Sequence, residues 1–291
     1  MTQLDAPRGH NGSRMTEPSR GAYGLRLGPP LAEEELVDAP TSWPQWRMCW
    51  QETALERRQT QRIGPDEALL DLTPKGQVLV DRLTSTSTFL LPAPPQPEAW
   101  SHPYLSSTAL LVAWWSGRRS FHAGAFVAGG GAWAVLGDKE QGKSSILAWL
   151  ARRGYPVLCD DVLVIDQGQA LSGPRCLDLR EGASAHFGMG TWIGLVGARE
   201  RWRVHLPETS PQVPFRGWVA PAWADEVSVG PVKVADRLKR ILPHRGLTIP
   251  EKDDGKWLDL IARPMLELRR PKSWSSLDLA MSRLLEALPG L

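Results

Sequence analysis

The chain of 291 residues is long enough for one large or two modest hydrophobic cores, and its 42% hydrophobic and 23% charged residues are ordinary for a globular protein. A net charge of +2 without a run of Lys or Arg argues against a nucleic-acid partner. The longest apolar run, 109–115, is too short to cross a bilayer, so we expect no membrane association. Three cysteines without a CxxC pair predict reduced thiols and a cytoplasmic protein.

The first third of the chain is predicted to be rich in β-structure. Residues 1–20 are polar and aperiodic, and we expect them to form a disordered head. Between residues 21 and 97, short apolar runs separated by turn residues predict strands, followed by a proline-rich connector. The predicted strands are Tyr23–Leu27, Trp46–Trp50, Ala68–Leu72, Gln77–Asp81 and Ser87–Leu91, of which the last two form a hairpin.

The region 98–291 is predicted to be a second unit that mixes strands with helices. Its patterns predict helices at 103–116, 145–151, 234–242 and 277–288, and strands at 121–127, 133–136, 157–159, 162–165, 176–179, 202–206 and 217–220. The stretch 182–197 is rich in glycine and is interpreted as a loop.

A Walker A motif lies between the apolar run 132–136 and the helix predicted after it. The motif G-x-x-x-x-G-K-[ST] is formed by Gly137, Asp138, Lys139, Glu140, Gln141, Gly142, Lys143 and Ser144. In a strand–loop–helix context, backbone N–H groups and the helix dipole bind phosphate oxygens, Lys143 reaches the terminal phosphates and Ser144 ligates Mg²⁺. We therefore expect residues 137–145, including Ser145, to bind a nucleotide.

Two adjacent acids, Asp160 and Asp161, follow the predicted strand 157–159. Successive strand side chains point to opposite faces, so one acid can face the phosphates while the other faces the metal or a structural partner. A carboxylate near the γ-phosphate can accept the proton of an acceptor hydroxyl. Asp166 is an alternative magnesium partner if 162–166 is the Walker B strand, although Asp166 is more simply a hairpin-turn residue.

Two absences narrow the class of protein. Asn11 is the single asparagine of the chain, which excludes an N-K-x-D guanine motif and the catalytic loop of eukaryotic-type protein kinases. The sequence contains no H-E-x-x-H pattern, so a zinc hydrolase is unsupported.

His122, the Walker A motif, the run 158–161 and the run 177–180 together resemble the catalytic core of bacterial HPr kinase/phosphorylases. The resemblance is closer still to the HPr-kinase-like proteins of peptide-tailoring clusters. His122 precedes Gly137 by 15 residues (137 − 122 = 15), which is the spacing of that superfamily. The resemblance covers residues 105–180 and implies an HPr-kinase-like P-loop core. Together with the β-rich N-terminal portion predicted from the residue pattern, this gives an α/β fold as the expected class.

The resemblance also implies roles for individual residues. Asp160 would be the general base, with His122 and Asp161 assisting it, and Asp178 would ligate Mg²⁺ together with Ser144. Arg180, which follows the strand 176–179, is the arginine that we expect to contact the substrate or a phosphate.

The implied function is an ATP- and Mg²⁺-dependent kinase that transfers the γ-phosphate to a hydroxyl of a peptide, a protein or a small-molecule alcohol. By analogy with the relatives, the chain is compatible with a homo-oligomer. Two alternatives stay open. One is a regulatory or scaffold protein that binds a nucleotide without phosphotransfer, favoured by Lys139 and Glu140 in the loop. The other is a P-loop ATPase that uses Asp166.

Overall fold

The computed structural model describes residues 19–54, 60–72, 75–138, 140–197, 199–249 and 255–288. Within these ranges the protein is a mixed α/β structure with three β-sheets and six α-helices. Most of the predicted disordered head, residues 1–18, and Lys139 of the Walker A motif lie outside the described residues.

The first sheet is formed by residues 20–91, where the sequence predicts a β-rich region. In chain order its strands are β1 (Arg20–Ala22), β2 (Leu25–Leu27), β3 (Val37–Asp38), β4 (Gln45–Glu52), β5 (Arg62–Ile63), β6 (Glu67–Asp71), β7 (Gln77–Asp81) and β8 (Thr86–Leu91). Their spatial order is β3-β1-β2-β4-β8-β7-β6-β5. The predicted hairpin of β7 and β8 is confirmed. The strand predicted at 23–27 is confirmed for Leu25–Leu27, whereas Tyr23 and Gly24 both have positive φ and form a turn between β1 and β2.

The described residues after Leu91 contain the other strands and all six helices. The strands are β9 (Arg119–Phe121), β10 (Gly124–Ala128), β11 (Gly131–Val135), β12 (Val157–Cys159), β13 (Leu163–Asp166), β14 (Gln169–Leu171), β15 (Cys176–Leu179), β16 (Thr191–Val196), β17 (Arg199–His205), β18 (Gln212–Trp223), β19 (Ser228–Pro231) and β20 (Met265–Arg270). The helices are α1 (Leu105–Trp115), α2 (Lys143–Arg152), α3 (Glu181–Phe187), α4 (Val234–Ile241), α5 (Lys256–Ala262) and α6 (Leu277–Ala287).

The second sheet has nine strands and positions the candidate site. Its main order is β12-β10-β11-β18-β14-β13-β9, with β20 added beside β18 and β19 beside β20. β11, β18 and β20 are parallel neighbours, and β12 is parallel to β11 because each is antiparallel to β10 between them. The C-terminal ends of four strands therefore lie at one edge of the sheet, which is where open α/β sheets bind ligands.

Two helices connect the sheets through apolar contacts. α1 lies against β7 of the first sheet and against β9 and β13 of the second, and its side chains are buried almost all round, as expected for a helix between two layers. One continuous apolar cluster contains Phe89, Leu111 and Leu163. The division of the chain into separate domains at residues 97 and 98 stays a prediction.

α2 packs on the second sheet at β10 and on the third sheet, whose order is β15-β17-β16. The buried face of α2 includes Ile146, Leu147 and Leu150, and it belongs to an apolar cluster with Leu177 and Leu179 of β15. This packing fixes the N-terminal end of α2 beside the C-terminal ends of β12 and β15. The loop before α2 and the acids after β12 are thereby brought together.

The interpretation of residues 182–197 as a loop is wrong. This stretch contains most of α3 and all of β16. Its glycines end or bend these elements: Gly188 caps α3 in the left-handed conformation, and Gly194 has positive φ where the pairing of β16 with β17 shifts register. Helix α5 and strand β20 were not predicted from the sequence.

In the part of the chain that the structure describes, the longest α-helices are α1 and α6 with 11 residues each, whereas a helix that spans a bilayer needs about 20. Within the described ranges, no helix combines the length and the apolar character that a membrane crossing requires. The cytoplasmic location stays a prediction.

Candidate active site

The predicted strand–loop–helix arrangement around the Walker A motif is present, with the loop running from β11 to α2. The helix begins at Lys143, and its preceding residue, Gly142, has φ of 85°. Gly137 at the start of the loop has φ of 136°. Both values lie in the region that favours glycine, which explains why the motif requires glycine at these two positions. The loop ends at the positive end of the α2 dipole, where an anion is stabilised.

The side chains of the loop make contacts with its own backbone. The Nζ of Lys143 donates a hydrogen bond of 3.0 Å to the carbonyl oxygen of Gly137, so the ammonium group is held over the loop. The Oε1 of Gln141 accepts a hydrogen bond of 2.9 Å from the backbone N–H of Asp138. One loop amide is therefore occupied by a side chain, and a phosphate that binds there has to displace it.

Asp160 connects the end of β12 with both α2 and β15. Its Oδ1 accepts a hydrogen bond of 3.2 Å from the hydroxyl of Ser144, and its Oδ2 accepts one of 3.3 Å from the backbone N–H of Asp178. The acid that the sequence nominates as proton acceptor is thus in direct contact with the predicted magnesium ligand of the Walker A motif.

The environment of Asp160 favours its protonated form. Burial, followed by the negative charge of the adjacent Asp161, raises the pKa of Asp160 from an ordinary 3.8 to about 6, while His102 acts in the opposite direction. A carboxylate with a pKa close to neutrality is suited to accept a proton during catalysis. His102 precedes α1, and nothing in the sequence pattern singles it out.

A cavity of about 710 Å³ unites most of the predicted site. The predicted residues that line it are Asp138, Glu140, Gly142, Lys143, Ser144, Ser145, Asp160, Asp161, Asp178 and Arg180. Lining residues that were not predicted include His102, Arg199, Arg201, Arg270 and Lys272, and Trp223 also lines the cavity. The cavity is therefore lined by acidic side chains at the ends of β12 and β15. Basic side chains from the loop, from β17 and from the end of β20 line it as well.

Asp178 lies in this cavity lining, but its carboxylate is fully occupied by an arginine. Arg203 donates from Nε to Oδ1 at 2.8 Å and from Nη2 to Oδ2 at 2.9 Å. Both side chains are almost completely buried, and such bidentate pairs are strong. The present contacts of Asp178 thus do not favour its predicted role as a magnesium ligand, which stays a prediction.

Arg180 lies at the mouth of the cavity, immediately before α3. Its Nη1 is 3.1 Å from Oε1 of Glu140 in the Walker A loop, and both side chains are about half exposed. The predicted phosphate contact is thus paired with a residue of the loop itself. An exposed pair of this kind contributes little to stability and can exchange partners.

Four of the described candidate residues do not line the cavity: Gly137 and Gln141 of the loop, His122 and Asp166. His122 is exposed, and its backbone N–H donates to the carbonyl of His244 at 2.7 Å. Its catalytic role stays a prediction. The carboxylate of Asp166 pairs with Arg118 at 3.0 Å, so the alternative Walker B residue is engaged elsewhere.

The oxygen donors of the cavity suit Mg²⁺ better than a transition metal. In the described part of the chain, no group of three or more His, Cys, Asp and Glu is arranged to hold a metal ion. Mg²⁺ needs fewer protein ligands, because it keeps waters and binds through one or two protein oxygens and the phosphates of its substrate. The hydroxyl of Ser144 and the carboxylates beside it are donors of this type.

No protein-family model matches the chain, and no curated protein sequence matches it. Among solved structures, a match to the HPr(Ser) kinase/phosphatase from Coxiella burnetii covers 58% of this chain and 95% of that chain, at 16% sequence identity and a TM-score of 0.28. This is a distant structural similarity.

Proposed function

We propose that this chain is an ATP-dependent kinase that transfers the γ-phosphate to a hydroxyl, either of Ser or Thr in a peptide or protein or of a small-molecule alcohol. The observation that carries the proposal is the hydrogen bond of 3.2 Å between Ser144 and Asp160, in a cavity that Lys143 also lines. A candidate phosphate-binding loop and a candidate proton acceptor thus share one space, as phosphoryl transfer requires.

Each group has a separate task in the proposed reaction. The loop amides and Lys143 hold the phosphates. A bond forms between the acceptor oxygen and the γ-phosphorus, while the bond from that phosphorus to the β–γ bridging oxygen breaks and ADP leaves. Asp160 takes the proton of the acceptor hydroxyl, and its raised pKa suits this task.

Mg²⁺ supplied with ATP neutralises charge on the phosphates when it is bound. Ser144 and Asp161 are the side chains that we assign to hold it, because both line the cavity. Asp178 is the ligand implied by the family resemblance, but its carboxylate would first have to leave Arg203. The assignment to Asp161 is therefore preferred.

The direct test is transfer of ³²P from γ-labelled ATP to a panel of peptides, proteins and alcohols. We expect Lys143→Ala and Asp160→Asn to lower the rate at least about a hundredfold, which is the scale of one electrostatic or acid–base group. Lys239→Ala, at an exposed lysine of α4, is the matched control and should leave the rate unchanged. Transfer that survives both site substitutions would remove the proposed roles.

A magnesium titration separates the roles of the two adjacent acids. If Asp161 holds the metal, Asp161→Asn raises the Mg²⁺ concentration needed for half-maximal rate, and excess Mg²⁺ restores part of the activity. Loss of the proton acceptor in Asp160→Asn lowers the rate at every Mg²⁺ concentration. The opposite pattern would exchange the two assignments.

A nucleotide-binding regulatory or scaffold protein is the second candidate function. Two contacts favour it: Gln141 occupies the N–H of Asp138, and Glu140 pairs with Arg180 at the mouth of the cavity. Calorimetry that detects ATP binding, together with no transfer to any acceptor, would select this alternative. The P-loop ATPase with Asp166 as its magnesium partner has less support, because Asp166 pairs with Arg118 outside the cavity lining.

A further inference from the structure

Two parallel strands deliver an aromatic and a basic side chain to the edge that carries the Walker A loop. Trp223 is the last residue of β18, Arg270 is the last residue of β20, and the two are register partners. The guanidinium carbon of Arg270 lies 4.4 Å from the centroid of the Trp223 ring. The aromatic ring thus holds the planar guanidinium in place by a cation–π contact.

Arg270 is buried without the partners that a buried cation normally has. Its residue is 3% exposed, its Nε has no hydrogen-bond acceptor, and the contact from Nη1 to the carbonyl of Pro271 is long at 3.4 Å. Among the described residues, no carboxylate lies within ion-pair distance of Arg270. Burial lowers its pKa. Buried charges in proteins are ordinarily paired, so this one calls for an acceptor from outside the chain.

The cavity is the direction from which such an acceptor can come. Arg270 lines it together with Lys143 and Ser145. A Cβ atom on Gly142 would lie 2.6 Å from Nη2 of Arg270 and 3.3 Å from the Trp223 ring. The guanidinium therefore touches the loop at the N-terminal end of α2, and two independent anion-attracting features meet at one point.

We propose that Arg270 is a phosphate-binding residue that contacts the polyphosphate chain of the nucleotide from β20, in the cavity that Lys143 also lines. The ligand class is a linear polyphosphate, either free or as part of a nucleoside triphosphate. This inference rests on the proposed function for the nucleotide, but the anion site is defined by the loop and Arg270 alone. The bound phosphate oxygens supply the acceptors that the guanidinium lacks.

The test is calorimetric titration of the full chain with inorganic triphosphate and, separately, with ATP, ADP and adenosine. We expect Arg270→Gln to weaken triphosphate binding roughly ten- to hundredfold, the range for a hydrogen-bonded charge. Arg270→Lys should lose less, because it keeps the charge but not the planar fork. Any binding of adenosine should be unchanged. Arg269→Gln is the matched control, since Arg269 is the preceding strand residue, is exposed and pairs with Glu267.

The outcomes distinguish this inference from the kinase proposal. Triphosphate binding that is equal in wild type, Arg270→Gln and Arg270→Lys, with all three folded by circular dichroism, overturns the role of Arg270 even if transfer activity is found. Binding that depends on Arg270 in a protein that transfers no phosphate keeps the anion site and removes the kinase. A wild-type chain that binds neither triphosphate nor ATP overturns both.

Discussion

Arg203 and Arg270 are both almost completely buried, yet their surroundings are opposite. Arg203 donates to the carboxylates of Asp178 and Glu35, to the hydroxyl of Ser101 and to the carbonyl of Glu98. Arg270 has one long contact to a carbonyl and the face of a tryptophan. Burial acts to lower the pKa of both arginines, and the pKa of Arg270 is lowered. The pKa of Arg203 is raised, because its hydrogen bonds to Asp178 and the negative charges of Asp178 and Glu35 outweigh the effect of burial.

The difference follows from what each arginine connects. Arg203 joins β17 to residues near the start of β3 and before α1, so it links the third sheet to the N-terminal region. It also fixes Asp178, whose backbone N–H holds Asp160. Arg270 ends a strand at the cavity, where its partner can be a ligand. The comparison shows two ways in which a buried arginine can obtain hydrogen-bond acceptors. Residues of the same chain can supply them, as for Arg203, or a bound ligand can supply them, as we propose for Arg270.

The largest expected effect on stability is that of Arg203→Met. It leaves the buried carboxylates of Asp178 and Glu35 without a counter-charge, and removing one partner of a buried ion pair costs about 3 to 5 kcal/mol. Urea denaturation monitored by tryptophan fluorescence measures the loss. The control, Arg82→Met, breaks an exposed pair with Asp66 at 3.9 Å and should change little. If Arg203→Met lowers the free energy of unfolding by less than about 1 kcal/mol, Arg203 does not have this structural role.

Asp160 is a partly buried acid in the cavity lining, and its removal should stabilise the metal-free protein at neutral and alkaline pH. Because the pKa of Asp160 is raised from 3.8 to about 6 in the folded state, folding becomes less favourable as the pH rises between these values. The raised pKa, higher by about 2, corresponds to at most about 3 kcal/mol. Asp160→Asn should therefore gain stability at pH 8 and lose that gain near pH 4.

Urea denaturation in EDTA at both pH values checks this dependence. Asp225→Asn, at an exposed aspartate, serves as the control. A gain of equal size at pH 4 and pH 8 would mean that ionisation of Asp160 is not its cause.

Arg270→Met should leave the free energy of unfolding within about 1 kcal/mol of wild type and not below it. The substitution removes an unpaired buried charge, and this relief offsets the lost cation–π contact. Thermal unfolding with and without inorganic triphosphate sharpens the comparison, because a ligand stabilises only the protein that binds it. A destabilisation as large as that of Arg203→Met would assign Arg270 a structural role instead.

The smallest expected effect is that of Glu140→Gln, which removes the half-exposed pair with Arg180. Exposed ion pairs contribute about 0 to 1 kcal/mol, so the urea midpoint should hardly move. A decrease of about 2 kcal/mol or more in the free energy of unfolding, above the range for an exposed pair, would mean that the Walker A loop depends on this pair for its conformation.

The local elements around the site were predictable because short-range rules determine them. The strands at 157–159 and 176–179 have the predicted bounds, and the helix after the Walker A motif follows from a glycine with positive φ and an amphipathic run. The glycines between 182 and 197 misled the prediction, because α3 and β16 are stabilised by packing on α2 and pairing with β17. Strand β20 was missed, and Arg270 was missed with it.

The sequence by itself determined the Walker A motif and the two acids after β12, since the spacing of residues within one loop or strand is enough to define them. Only the tertiary structure decided which distant side chains join them: His102 rather than His122 lines the cavity, Arg203 holds Asp178, and Arg270 reaches Gly142. The physical reason is that such contacts depend on strand order and register across the sheet. Strand order and register are set by the folding of the whole chain, so a local sequence pattern does not determine them.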